Sequence, residues 1–135
     1  MVEIQEVDFS CELDEVKVSD WIRSVVEQEN RKLGEITIVF GSDEWLLEKN
    51  REFLNHDYYT DIITFDYCED SIISGDLLIS VERVFENADD LNVSRETELN
   101  RVIVHGVLHL MGYSDKSDPE KELMRKKEDS YLALL

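Results

Sequence analysis

The sequence predicts one α+β domain, residues 1–135, with helices packed on a small mixed sheet. Three observations carry the fold class. Short segments with apolar alternation and longer segments with helical spacing both occur, so both element types are present. They do not follow strict strand–helix alternation, which favours α+β over a doubly wound fold. Finally, 135 residues with 42% hydrophobic side chains suffice for one core, and no shift in composition divides the chain.

The elements follow in order. Val2 to Phe9 alternates apolar and acidic residues, with Val2, Ile4, Val7 and Phe9 marking a half-buried strand. From about Leu13 the period changes, and Val16, Trp21, Ile22, Val25 and Val26 mark a helix. Arg31 and Lys32 fall in its last turn, and Gly34 is its expected stop. Glu35 to Phe40 is a second strand. Ser42 is a good N-cap, and Asp43 and Glu44 suit the positive end of the helix dipole. That helix runs to about Leu54, with Trp45, Leu46, Phe53 and Leu54 as candidate buried positions. A loop over residues 55–59 leads to the strand Ile62 to Phe65, Cys68 to Ser71 breaks the pattern, and Ile72 to Ser80 is the next strand. Val81 to Ala88 is a short helix. Ser94 caps a longer one that runs to about Met111 and ends at Gly112. The final helix restarts at Ser117 with Glu120 as a capping box, or at Asp118 with Pro119 in the first helical position, and runs to Leu134.

Composition narrows the class. Asp and Glu number 32 against 14 Lys and Arg, giving a formal charge of −18. Such acidity argues against a broad electrostatic grip on nucleic acid. Five Gly and one Pro leave no low-complexity linker. There is no apolar run long enough to span a membrane, and the N-terminal residues lack the basic start and apolar core of a secretory signal. Two cysteines, Cys11 and Cys68, make no disulfide framework. Together these features predict a cytoplasmic protein with no membrane partner.

The chemistry concentrates between His105 and Asp115. Residues four apart on a helix lie on one face, a turn apart, so His105 and His109 can both reach one ion at ~2.0–2.1 Å. Gly112 allows the chain to reverse, and Asp115 can then fold back as a third ligand. Two imidazoles and a carboxylate leave a fourth tetrahedral position for water, the layout of a catalytic zinc site. Nickel or iron suits similar ligands. Asp118 is the alternative carboxylate, and two histidines packed on a core helix without a metal are the bland alternative. The spacing is similar to that of the metzincin proteases, but their glutamate general base would fall at position 106. Gly106 cannot take a proton, which argues against a protease.

The longer stretch His105-Gly106-Val107-Leu108-His109-Leu110-Met111-Gly112-Tyr113 resembles the signature of the YbeY family of bacterial rRNA-maturation endoribonucleases. Thr60 to Phe65 resembles that family's Thr-Asp strand, Gly75 to Ser80 its Gly-Asp strand, and Asn50 to Asp57 stands where the family has a helix end and loop. The resemblance covers nearly the whole chain. It implies a zinc-dependent, single-strand-specific RNase acting in small-subunit rRNA 3′-end maturation and ribosome quality control.

Two departures stand out. Asp115 occupies the place of the family's third histidine; it can still bind zinc, but it lowers the positive charge of the centre and so the acidity of bound water. Leu54 occupies the place of an arginine that the family carries before the Thr-Asp strand, and a leucine cannot hold a phosphate. These departures keep a non-catalytic ribosome-assembly factor in play. Arg51 and His56 are candidate stand-ins for the arginine, and Asp61 and Asp76 are candidate acid–base groups, each with an ordinary structural role as its alternative. Tyr113 is placed to donate a hydrogen bond or simply to pack. Cations that RNA could use are Arg101, Lys121, Arg125, Lys126 and Lys127, although Glu120, Glu122 and Glu128 interleave with them as possible salt-bridge partners. With a charge of −18, the expectation is ribosomal RNA presented by the ribosome or by a basic small-subunit ribosomal protein.

Overall fold

A computed structural model describes residues 1–9 and 13–135; Cys11 lies outside them. The elements run β1 (Val2–Glu6), α1 (Glu15–Gln28), β2 (Lys32–Gly41), α2 (Asp43–Leu54), β3 (Ile62–Asp66), β4 (Ile72–Ser80), α3 (Val81–Leu91), α4 (Arg95–Leu110) and α5 (Asp118–Leu132). The sheet order is β1-β2-β4-β3. β1 and β4 flank β2 in parallel, whereas β3 is an antiparallel edge strand on β4. The predicted mixed sheet under five helices is therefore present.

The two faces of the sheet are covered unequally. On one, Ile36, Ile38, Phe40, Leu77 and Ile79 pack in a single core with Ile22 and Val25 of α1 and with Ile103, Val107 and Leu108 of α4. Fully burying each such side chain contributes roughly 1.5–3 kcal/mol. The Trp21 indole of α1 donates to the Tyr131 carbonyl of α5 at 2.8 Å, joining the first helix to the last. On the other face a small cluster of Leu46 from α2 with Ile63 and Leu78 serves instead.

Gly106 sets how closely α4 approaches the sheet. A Cβ there would lie 2.8 Å from Ile62 Cδ1 and 2.9 Å from Leu77 Cδ2. The residue between the ligating positions is thus a close-packing glycine against the strands, in line with the argument against a protease base.

Several boundaries differ from the sequence reading. α1 ends at Gln28, and Asn30 at φ 59° makes the left-handed turn assigned to Gly34. Asparagine also tolerates that conformation, and Gly34 instead lies within β2, where a Cβ would strike Ser74 Oγ. β1 stops at Glu6 and α5 at Leu132, while α3 extends to Leu91. Val7 and Val16 are exposed. So are Phe53 and Leu54, because α2 buries the stripe Leu46, Leu47 and Asn50 instead. At α5 the Ser117–Glu120 capping box forms, with Pro119 in the first turn.

Candidate metal centre

The site is built at the C-terminal end of α4. Ser94 caps the helix by accepting from the Thr97 amide, and Glu96 and Glu98 lie in its first turn. The other end closes through a Schellman arrangement. Gly112, at φ +97°, donates its amide to the His109 carbonyl, and Tyr113 donates to the Leu108 carbonyl. This turn reverses the chain and brings Asp115 back over the His face.

His105 Nε2 and His109 Nε2 are 2.9 Å apart, and Asp115 Oδ2 is 3.3 Å and 3.5 Å from them. A tetrahedral ion at ~2.0–2.1 Å from its ligands holds them about 3.3 Å apart, so the triangle has the right size. Asp118 is not part of this group.

The outer nitrogens explain why the inner ones converge. His109 Nδ1 is 2.9 Å from the Tyr113 carbonyl, an obligate acceptor, so that nitrogen carries the proton. His105 Nδ1 is 2.6 Å from Glu128 Oε2, and Glu128 is buried. With each Nδ1 turned to an acceptor, the two Nε2 atoms are left facing each other and a carboxylate. Three acceptors at this separation repel unless a cation lies among them, and the second-ligand bonding is that of metal-binding histidines. The His105–His109–Asp115 group can thus hold a metal ion. Burial opposes charging His105, but its hydrogen bond to Glu128, with the nearby charges of Glu128, Asp115 and Asp61, raises its pKa overall.

Glu128 is the residue the sequence reading misplaced. The sequence interleaves it with the cations of α5 as a salt-bridge partner on a solvated face, yet it shares the buried stripe Met124, Glu128, Tyr131, a spacing that signals an inward face. Its Oε1 also accepts from Arg101 at 3.1 Å. Arg101 further pairs with Asp129 at 2.9 Å and approaches Glu98 at 3.7 Å, so its guanidinium is committed to carboxylates rather than open to phosphate.

A second brace reaches the metal loop from α1. Glu29 accepts hydrogen bonds from the hydroxyls of Tyr113 and Tyr131 and pairs with Lys127 at 3.0 Å. Burial pushes the Glu29 carboxyl up, but these donors outweigh it and hold it below the usual carboxylate range. Tyr113 therefore both packs and donates: its hydroxyl holds Glu29 while its carbonyl orients His109. Lys127, an expected RNA contact, belongs to this brace.

The cleft beside the ligands has a volume of about 360 Å³ and is lined by Asp61, Arg101, His105, Asp115, Lys121 and Arg125, among others. Burial raises the Asp61 carboxyl above its ordinary range, partly offset by His105. Of the expected cations, Arg101, Lys121 and Arg125 reach the cleft, Arg101 already paired with acids; Lys126 is exposed on α5 and does not line it.

The other candidates lie elsewhere. Asp76 alternates with Gly75 and Leu77, which face α4, and so projects from the opposite side of the sheet, where the Tyr67 hydroxyl approaches it at 3.3 Å. Arg51 is exposed and donates to Asp57. His56 stacks on Tyr58, with ring centroids 5.1 Å apart.

Comparison with known proteins agrees with this geometry. The family description Endoribonuclease YbeY matches residues 3–135. Endoribonuclease YbeY of Flavobacterium johnsoniae is 51% identical over 129 residues, covering 96% of this chain and 92% of that protein. The Bacteroides fragilis protein of the same name is 49% identical, covering 87% of this chain and 85% of that protein. The solution structure of TM1509 from Thermotoga maritima shares the fold at a TM-score of 0.69 and 27% identity, over 98% of this chain and 87% of that one. A match of this extent, over a chain whose paired histidines converge as the motif requires, places it in the YbeY family of endoribonucleases.

Proposed function

We propose that this chain is a zinc-dependent endoribonuclease that hydrolyses single-stranded RNA, acting in 3′-end maturation of small-subunit rRNA and in ribosome quality control. The observation that carries the reading is the triangle of His105 Nε2, His109 Nε2 and Asp115 Oδ2, with both outer imidazole nitrogens already bonded. Zinc is the preferred ion because two imidazoles and a carboxylate suit it. A divalent ion held there supplies a Lewis acid for a phosphoryl oxygen and lowers the pKa of a water ligand.

The chain's own residues do the rest. Glu128 and the Tyr113 carbonyl fix the imidazole orientations. Asp61, at the cleft wall with a raised pKa, is the group best placed to hold and release a proton near the reacting phosphate. Lys121 and Arg125 offer the cleft's positive charge to the phosphodiester backbone. With so few cations at the site and a net charge of −18, RNA delivered by the ribosome or by a basic small-subunit protein is the substrate form the charge favours. A cytoplasmic setting fits the free thiol of Cys68 and the absence of any membrane-length apolar helix among the described residues.

The test is cleavage of single-stranded RNA by the zinc-loaded chain and by His109→Ala, with circular dichroism as the control for folding. The wild type should cut, and the folded variant should lose at least ~100-fold in rate, the scale expected when a metal ligand is removed. A folded, zinc-loaded wild type that does not cut RNA, alone or on ribosomal particles, overturns the nuclease reading and assigns an assembly role.

A further inference from the structure

We propose that the groove at the free edge of β3 is a nucleobase-binding subsite, in which an unpaired RNA base stacks on Tyr58 and His56 while its backbone runs toward the metal centre. The inference rests on the nuclease reading for its ligand and on separate residues for its geometry.

Leu54, His56, Tyr58, Thr60, Ile62 and Thr64 line a groove of about 230 Å³. Among the described residues, none that lines it is a carboxylate, in a chain that carries 32 of them. Two acids interrupt the lining residues in sequence: Asp57 is paired with Arg51, and Asp61 lines the metal cleft instead. The groove wall itself therefore presents no carboxylate to a polyanion. Its walls are also suited to a flat, partly apolar ring. Tyr58 is 56% exposed, and its ring lies nearly parallel to that of His56, at an interplanar angle of 21°. The hydroxyl of Tyr58 meets His56 Nδ1 at 3.0 Å, so the two rings hold each other as one platform. The backbone beneath is tethered where Asn50, buried in α2, donates to the Tyr58 carbonyl at 2.9 Å. Exposed aromatic faces fixed in this way are the usual platform for single-stranded bases.

Continuity with the metal cleft orients the ligand. Thr60 and Ile62 line the groove while Asp61, between them, lines the cleft beside His105. Ile62 in turn packs at Gly106, between the ligating positions of α4. A strand of RNA passing over the start of β3 can thus place a base on Tyr58 and a phosphate before His105 and His109. The same placement gives Leu54 a role. Where the family pattern has an arginine, this chain offers an apolar wall that is 40% exposed, exchanging a phosphate contact for contact with a base. For an acidic protein, affinity from stacking has the advantage of weak dependence on salt.

Cleavage kinetics and oligonucleotide binding test the subsite together. A short fluorescein-labelled single-stranded oligoribonucleotide is titrated against the metal-free chain by anisotropy, and the same sequence is cut by the zinc-loaded chain. Tyr58→Ala should weaken binding by roughly 5-fold or more, the effect of losing one base–aromatic stack, and should raise KM with kcat little changed. Tyr58→Phe, which keeps the ring and its stacking on His56 but loses the hydroxyl contact, should restore most of both. Cleavage with KM unaltered in Tyr58→Ala and His56→Ala overturns the subsite and leaves the nuclease intact. Binding that depends on Tyr58 in a zinc-loaded chain that does not cut overturns the nuclease and leaves the subsite. No measurable oligonucleotide binding by the wild type overturns the subsite.

Discussion

The α4–α5 end and the α2–β3 end of the molecule meet at the start of β3 and are built in opposite ways. At the first, both imidazoles are braced. His105 leans on Glu128, His109 on the Tyr113 carbonyl, and Tyr113 on Glu29, itself held by Tyr131 and Lys127. At the second, α2 leaves Phe53 and Leu54 in solvent, Arg51 pairs with a neighbouring loop acid, and His56 and Tyr58 have chiefly each other. The contrast teaches how the chain divides its work. A metal site needs atoms fixed to a fraction of an ångström, whereas a surface that receives a flexible polymer needs open faces.

Breaking the braced end should produce the larger effects. Glu128→Gln keeps the size of the side chain but removes the carboxylate that holds His105 and faces Arg101. Zinc affinity should fall by roughly 10- to 100-fold, the usual result of losing an acid behind a metal-bound histidine. Competition with a chromogenic chelator measures it, and an unchanged affinity would reduce Glu128 to an ordinary buried acid.

Glu29→Gln should act more weakly and with a definite pH sign. The folded pKa of Glu29 lies below its ordinary 4.5. The carboxylate therefore stabilises the fold fully above that value, and the contribution is lost as pH falls through the folded pKa. Urea titrations should show the variant less stable by about 1–2 kcal/mol at neutral pH, with the difference closing in acid. A pH-independent difference would locate the effect in packing instead. At the open end, the Tyr58→Ala chain used for oligonucleotide binding should unfold within about 0.5 kcal/mol of the wild type. A larger loss in the same titration would make the aromatic pair a structural element and blur the contrast between the two ends.

What was legible in the sequence follows the same division. The His pair, the reversal at Gly112 and the return of Asp115 depend on local spacing, so a short stretch of chain was enough to read them. Glu128 and Glu29 meet their partners across 23 and 84 positions, and no local pattern joins them, although the stripe Met124, Glu128, Tyr131 marked Glu128 as facing inward. The cations were overcounted for the same reason. Arg101 and Lys127 look free until the acids from other elements are placed beside them. Phe53 and Leu54 have the composition of a core helix, but the cluster under α2 is small and is built on Leu46, so that Phe53 meets only the edge of Phe65 and stays exposed. Leu54 lines a groove that only the folded chain assembles.

The central claim is that three converging acceptors hold one divalent ion. Isothermal titration of zinc into the metal-stripped chain, repeated with His109→Ala, tests it most directly. The account predicts one tightly bound ion per chain in the wild type and loss of that binding in the variant with its fold retained. A wild type that takes up no zinc, or a variant that binds it with the same stoichiometry and affinity, would contradict the account.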